Sequence, residues 1–286
     1  MASEHQDVRT EQRHLPDGVP LLSLRGITKR FGPVQALSGV DLDIPVGMVT
    51  ALAGDNGAGK SVLIKTISGL WKPDAGEILW EGKRVHFGGP KDADALGITT
   101  IYQDLALCDN LDVVQNMYLG HELLDHGMLD ETNMELATLK TLQDLSVTTL
   151  NSVRQRAQTL SGGQRQSVAV TRAVMAKAKL VIMDEPTAAL GVTQTKTVLD
   201  LIRSLKRQGV GVLVISHNLN DVFAVADRIA VLYLGRLVTS GPASDFNVMT
   251  LVDYMTAGYS SRQLTPERAQ APRISDDVVV PAAAMR

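Results

Sequence analysis

Short apolar runs recur along the chain, and each stops at a polar residue or a glycine. They are "MVTALAG" at 48–54, "GITTIYQ" at 97–103, "LVIMDE" at 180–185 and "VGVLVISH" at 210–217. A run without polar alternation suits a strand covered on both faces, as in a parallel sheet flanked by helices. After the first run the apolar spacing becomes helical. Leu63, Ile67 and Leu70 predict a helix there, with Gly69 near its end. The first part of the chain reads differently. "LLSLRGI", "VDLDIPVG" and "GEILWEGKRV" alternate or break at Gly and Pro, which predicts antiparallel strands. From about 104 to 158 helix formers dominate, as in "ETNMELATLKTLQDL", and predict a mostly helical insert.

The chain has 286 residues, 44% of them hydrophobic and 21% charged, a globular balance. Residues 1–20 and 261–286 carry no sustained periodicity and are expected to be flexible tails around one domain spanning 21–260. The N-terminus lacks the apolar core of a signal peptide, and no apolar run approaches the ~20 residues that span a bilayer. Work at a membrane would therefore need another chain to cross it. A net charge of −3 argues against a nucleic-acid partner. The single cysteine, Cys108, excludes an internal disulfide and a multi-cysteine zinc site.

Two motifs carry the chemistry. "GDNGAGKS" at 54–61 fits G-x-x-x-x-G-K-[ST], the phosphate-cradling loop, with a strand run before it and a helical pattern after it. A triphosphate needs several backbone N–H groups aimed at one anion, so the chain must curl where a Cβ would obstruct it. Lys60 then places an ammonium between the β- and γ-phosphates, and Ser61 offers oxygen to Mg²⁺. The chain lacks the N-K-x-D of a Ras-type GTPase and an obvious arginine-rich kinase lid. The second motif is "LSGGQ" at 160–164. Ser161 reads as a helix N-cap, and a helix start with a hydroxyl and two glycines is itself an anion site. One chain therefore carries two separate phosphate-type sites.

With both motifs in place, the sequence over about 21–259 resembles the ATP-binding cassette (ABC) ATPases. The motifs stand in that family's order: the phosphate loop, Gln103, the LSGGQ signature, "LVIMDE" and His217 in "ISHNL". The resemblance implies an α/β fold of the P-loop NTPase type: a RecA-like parallel core, an N-terminal antiparallel β subdomain and an inserted α-helical subdomain. It also implies head-to-tail pairing, in which the signature of one cassette completes the phosphate site of another. With one copy of each motif, this chain should pair with a second copy of itself.

The resemblance assigns roles residue by residue. Gly54, Asp55, Asn56, Gly57, Ala58, Gly59, Lys60, Ser61 and Val62 should bind ATP. Ser161, Gly162, Gly163 and Gln164 should bind the ATP of the opposite subunit. Asp184 should hold Mg²⁺ opposite Ser61, directly or through water. Glu185 should polarise the attacking water. Gln103 should reach metal and water and join the core to the insert. His217 should contact the γ-phosphate. Phe31 in "KRFGPVQAL" should stack on adenine, with a core role as the rival reading.

Two departures stand out. Val62 replaces the usual serine or threonine, losing a hydroxyl bond to the α-phosphate. In "PTAALGV" Gly191 stands where many cassettes have an aspartate that couples the two sites, which leaves that coupling open. The same stretch, with "YQDLAL" and "NLDVVQNMYLG", resembles the ATPases of ribose-, xylose- and fructose-type importers. The implied function is an ATP-driven subunit on the cytoplasmic face of the membrane, bound to a permease near Asp104 to Cys108. An extracytoplasmic sugar-binding protein would serve it indirectly. An exporter ATPase and a soluble ABC mechanoprotein are the alternatives.

Overall fold

In this computed structural model residues 18–259 are described; the segments expected as tails lie outside them, apart from Gly18, Val19 and Pro20. The chain opens on a hairpin of β1 (Leu22–Phe31) and β2 (Val34–Ile44), which pairs from Leu22 opposite Ile44 to Phe31 opposite Val34 with register shifts between Leu24 and Arg30. Next, β3 (Val49–Ala53) runs through the glycine loop into α1 (Lys60–Ile67). A second hairpin, β4 (Ala75–Trp80) and β5 (Lys83–Val85), completes an antiparallel sheet of order β2-β1-β4-β5.

After α2 (Pro90–Leu96) and β6 (Ile98–Ile101) comes the insert. It holds α3 (Val113–Tyr118), a small hairpin of β7 (Leu124–Asp125) and β8 (Met128–Leu129), and α4 (Glu131–Asp144). Then follow α5 (Gly162–Met175), β9 (Leu180–Asp184), α6 (Val192–Arg207), β10 (Gly211–Ile215) and α7 (Leu219–Val225). The described chain ends with β11 (Arg228–Tyr233), β12 (Arg236–Pro242) and α8 (Val248–Ala257).

The second sheet has order β12-β11-β3-β10-β9-β6, and every pairing is parallel except β11 with β12. The continuous apolar runs are explained by cover on both faces. Leu52, Ile182 and Leu213 face a core shared with α1 and the antiparallel sheet. Val49, Val181, Met183 and Val212 face α5 and α6 through Val170, Val198, Ile202 and Leu205. Full burial of such a side chain contributes about 1.5–3 kcal/mol. The insert has its own small core around Val113, Met117, Met134 and Leu142.

Register sets the site. Ile215 stands beside both Asp184 and Leu52, and Ile101 stands beside Met183. The residues just beyond these strands, Gly54, Gln103, Glu185 and His217, therefore emerge along one edge of the sheet, where ligands bind in open α/β folds.

One expectation needs correction. Leu70 is not part of α1: the helix ends at Ile67, Gly69 takes a left-handed φ of 73°, and Leu70 is half exposed. The helical period extends past the glycine that ends it. The insert, expected to be mostly helical, also carries one short hairpin. His126 and Gly127 both take positive φ (49° and 84°), the geometry of a tight two-residue hairpin turn, and β7 and β8 flank them.

Candidate active site

The loop from Gly54 to Gly59 is pressed into the fold. A Cβ on Gly54 (φ 158°) would stand 2.4 Å from the Leu232 carbonyl oxygen, and one on Gly59 (φ 102°) 2.7 Å from that of Ala36. Only glycine fits either place. Between them, Asn56 N–H donates to Asp55 Oδ1 at 2.7 Å, Ala58 N–H donates to Asp55 O at 3.1 Å, and Gly57 lies exposed at the crest. Lys60 is 8% exposed, and its Nζ donates to the carbonyls of Gly54 (2.7 Å) and Asp55 (3.0 Å). An ammonium has three donors, so one remains for an anion. Ser61 is exposed at the start of α1, while Val62 is half-buried against the core. A cleft of about 430 Å³ opens there, between Gly57, Lys60, Ser61 and Val62 on one side and Val34, Ala36, Leu234 and Gly235 on the other.

The two carboxylates sit at the end of β9, separated from β3 by β10. Asp184 is half-buried and makes no side-chain hydrogen bond among the described residues. Burial first, and then the Glu185 charge, raise its pKa, while Lys60 and Lys65 act against the rise. Burial of this kind disfavours the charged form of a carboxylate, and a nearby positive charge favours it. Glu185 has a left-handed φ of 50°, held by its N–H bond to the Ile215 carbonyl at 2.9 Å. Strain of this kind collects at functional sites. The turn brings Glu185 Oε1 to 2.8 Å from His217 Nδ1, so a potential base and an imidazole are already paired.

The other expected residues are placed as follows. Gln103 is exposed two residues beyond β6, and its side chain has no hydrogen-bond partner among the described residues. Phe31 is 41% exposed, opposite Val34 of the cleft wall, and its ring meets Trp71 edge-on at 4.8 Å. The signature stands at the start of α5. Ser161 Oγ accepts from Gln164 N–H at 3.4 Å, and Gln164 Oε1 accepts from Ser161 N–H at 2.8 Å, a reciprocal cap. A Cβ on Gly162 would come within 2.8 Å of Leu190, and one on Gly163 within 3.0 Å of Gln194. The two glycines thus let α5 lie close to the start of α6. No signature residue lines the cleft beside Lys60. Within one chain the two anion sites stay apart.

Sequence reasoning missed the supports. The Leu234–Gly235 turn between β11 and β12 forms a wall of the cleft, and Gly235 N–H donates to Ala58 O at 2.9 Å. The glycine in "YLGR" is the available signal. Asp221 Oδ2 accepts from Thr187 Oγ1 at 2.6 Å and from Asn218 Nδ2 at 3.1 Å, which ties the turn after Glu185 to the one after His217. Nothing local in "NLND" announces that link.

Ser61, Asp184 and Gln103 carry hard oxygens of the kind Mg²⁺ takes. Among the described residues no cluster of three or more His, Cys, Asp or Glu could hold a metal ion. Mg²⁺ is usually held by one or two carboxylates together with substrate phosphates and water.

A phosphate loop at the end of β3, with a carboxylate pair at the end of β9 one strand removed in the same parallel sheet, is the arrangement of a P-loop NTPase. Residues 37–188 match the ABC transporter family, and the chain belongs to it. It is 47% identical over 237 residues to the xylose/arabinose import ATP-binding protein of Sulfolobus acidocaldarius, covering 83% of this chain and 94% of that protein. It is 46% identical over 244 residues to the fructose import ATP-binding protein of Rhizobium meliloti, again covering 83% and 94%. Its fold matches an ATP-binding cassette of an ABC transporter in the ADP conformation, with a TM-score of 0.71 and 28% identity over 83% of this chain and 97% of that one. This protein is accordingly an ATPase of the transport type. No helix among the described residues is long and apolar enough to cross a membrane.

Proposed function

We propose that this chain is the ATP-hydrolysing subunit of an importer for a monosaccharide. It acts as a homodimer on a membrane permease that a sugar-binding protein loads from outside. The observation that carries this reading is the likeness, over nearly the full length of both relatives, to two sugar-import ATP-binding proteins. The loop Gly54–Val62 and Phe31 bind ATP, and Ser161 to Gln164 bind the γ-phosphate held by the partner. Separation of Lys60 from the signature within one chain supports a site shared between two.

In the closed dimer Lys60 would stand between the β- and γ-phosphates, and Ser61, Asp184 and Gln103 would hold Mg²⁺. When bound, the metal neutralises charge on the phosphate oxygens. Glu185 accepts a proton from the attacking water, and His217, already at 2.8 Å from it, orients the carboxylate and meets the γ-phosphate. Loss of phosphate removes the bridge between Lys60 and the opposite signature, and the dimer reopens. The loop from Asp104 to Cys108 passes this motion to the permease at the cytoplasmic face.

Co-reconstitution with the permease in vesicles tests the reading. ATP-dependent uptake of one labelled monosaccharide from a panel of pentoses and hexoses is expected. Efflux, or uptake of a different substrate class alone, would contradict it. A second expectation concerns Val62. A hydrogen bond to a charged group contributes about 1.5–3 kcal/mol, so Val62→Thr should tighten ATP binding about tenfold or more. Calorimetric titration measures this, and an unchanged Kd would remove the α-phosphate contact from the scheme.

A further inference from the structure

The turn between β11 and β12 breaks two local rules at one residue. Tyr233 pairs with Arg236, so Leu234 and Gly235 form a two-residue loop, with φ of 45° and 77°. Such a loop needs left-handed backbone at both positions and favours Asn or Asp before the glycine. Leucine has no side-chain oxygen to support that conformation, and a bulky residue there is strained. Among the described non-glycine residues with positive φ, Leu234 is the one large apolar side chain. It is also 69% exposed.

Neither feature comes from slack in the fold. Gly235 N–H donates to Ala58 O at 2.9 Å, and Ser38 N–H donates to Gly235 O at 2.8 Å. A Cβ on Gly235 would stand 2.6 Å from the Ala36 carbonyl oxygen. The turn is pinned on one side to the phosphate loop and on the other to β2. Backbone strain fixed by its surroundings is typical of ligand clamps.

Leu234 lines the cleft beside Lys60, and that cleft has two unlike parts. Its floor is the glycine loop with the Lys60 ammonium, the one charged group in the lining. Its rim, from Val34 to Ala36 and across to Leu234 and Gly235, carries no charge. Val34 and Leu234 are both largely exposed there. A nucleotide is divided in the same way, into an anionic phosphate chain and a ribose with a flat base. Phosphate oxygens find no charged partner on the rim, whereas apolar side chains suit the faces of base and sugar.

We propose that Leu234 is a nucleotide-binding residue: with Val34 it takes the ribose and base of the nucleotide whose phosphates lie on the glycine loop. This rests on the ATP reading above and deepens it. Phe31 offers its ring from β1, and Leu234 adds an apolar contact from a separate hairpin. The turn gives up some stability to hold that contact ready before the nucleotide arrives.

That trade can be read with ADP and inorganic pyrophosphate, which differ by the adenosine alone and are not hydrolysed in the assay. Leu234→Asn gives the turn its favoured residue and removes the apolar contact. Without nucleotide its melting temperature should rise by about 1–3 °C. By calorimetric titration its affinity for ADP should fall about fivefold, and its affinity for pyrophosphate should stay within about twofold. Leu234→Ala should show the same split between the two ligands, so the test does not depend on the asparagine variant. Leu234→Met keeps the apolar bulk and should bind ADP within about twofold of wild type.

Unchanged ADP affinity in Leu234→Asn and Leu234→Ala overturns the proposal. So does a fall shared equally by pyrophosphate, which would make the turn a support of the phosphate loop alone. A lower melting temperature in Leu234→Asn would show that leucine stabilises the turn, and the functional reading of its strain would fall. A wild-type chain that binds neither ligand brings down the ATP reading itself. One that binds pyrophosphate as tightly as ADP leaves the phosphate loop in place and removes the rim contact.

Discussion

Glutamine in place of Glu185 is expected to stop turnover and leave ATP bound. The side chain sits on a turn that the rest of the site over-determines. Its own N–H is tied to Ile215, and the following turn is tied through Thr187 and Asp221 to Asn218. Glutamine fits this frame, because it has the same shape and keeps an oxygen for His217. It lacks a basic carboxylate, so no group takes the proton of the attacking water. Loss of a positioned base typically costs about 10²–10⁴ in rate. Rapid-quench phosphate release should show that fall, and filter binding should show ATP retained at wild-type affinity. A rate within about tenfold of wild type would move the base to another residue.

The second large effect is expected at Lys60, and it should appear in binding as well as rate. Lys60→Met removes the charge-assisted hydrogen bond that the one free ammonium donor gives to phosphate, worth about 1.5–3 kcal/mol, so kcat/KM should fall about 10- to 10²-fold. It also leaves the carbonyls of Gly54 and Asp55 without the ammonium that joins them at 2.7 and 3.0 Å. The loop should therefore loosen, and thermal stability in the absence of nucleotide should drop slightly. Lys60→Arg should not rescue activity, since a larger planar guanidinium would have to replace a compact ammonium at a position only 8% exposed. Steady-state kinetics and a melting curve check both parts.

Those two residues were legible in the sequence because their chemistry is local. A lysine after a glycine loop, and a carboxylate at the end of an apolar run, carry their own context. The parallel core was legible for the same reason: strands buried on both faces show no polar alternation, and Val181 to Met183 or Val212 to Ile215 could belong to little else. The His126–Gly127 hairpin was not, because its strands are two residues long and too short to set a period. Leu70 misled because helical spacing outlasts the helix when glycine ends it at 69.

The supports of the site were harder still. Asp221, 34 residues from Thr187, acts through a contact that exists only once the chain has folded. Its residue type is ordinary on helices, so neither spacing nor composition marks it. The Glu185–His217 pair lies between these extremes. Both residues were visible as strand-end groups, yet their 2.8 Å hydrogen bond depends on β9 and β10 lying side by side with Asp184 level with Ile215.

The sharing of each ATP site between two chains is tested most directly by light scattering on the Glu185→Gln protein. With Mg²⁺ alone the mass should be that of one chain, and added ATP should double it. Introducing Ser161→Arg into the same protein should abolish the doubling without weakening ATP binding to the single chain. A mass that stays monomeric while ATP is bound, or a dimer indifferent to Ser161, would contradict the shared site.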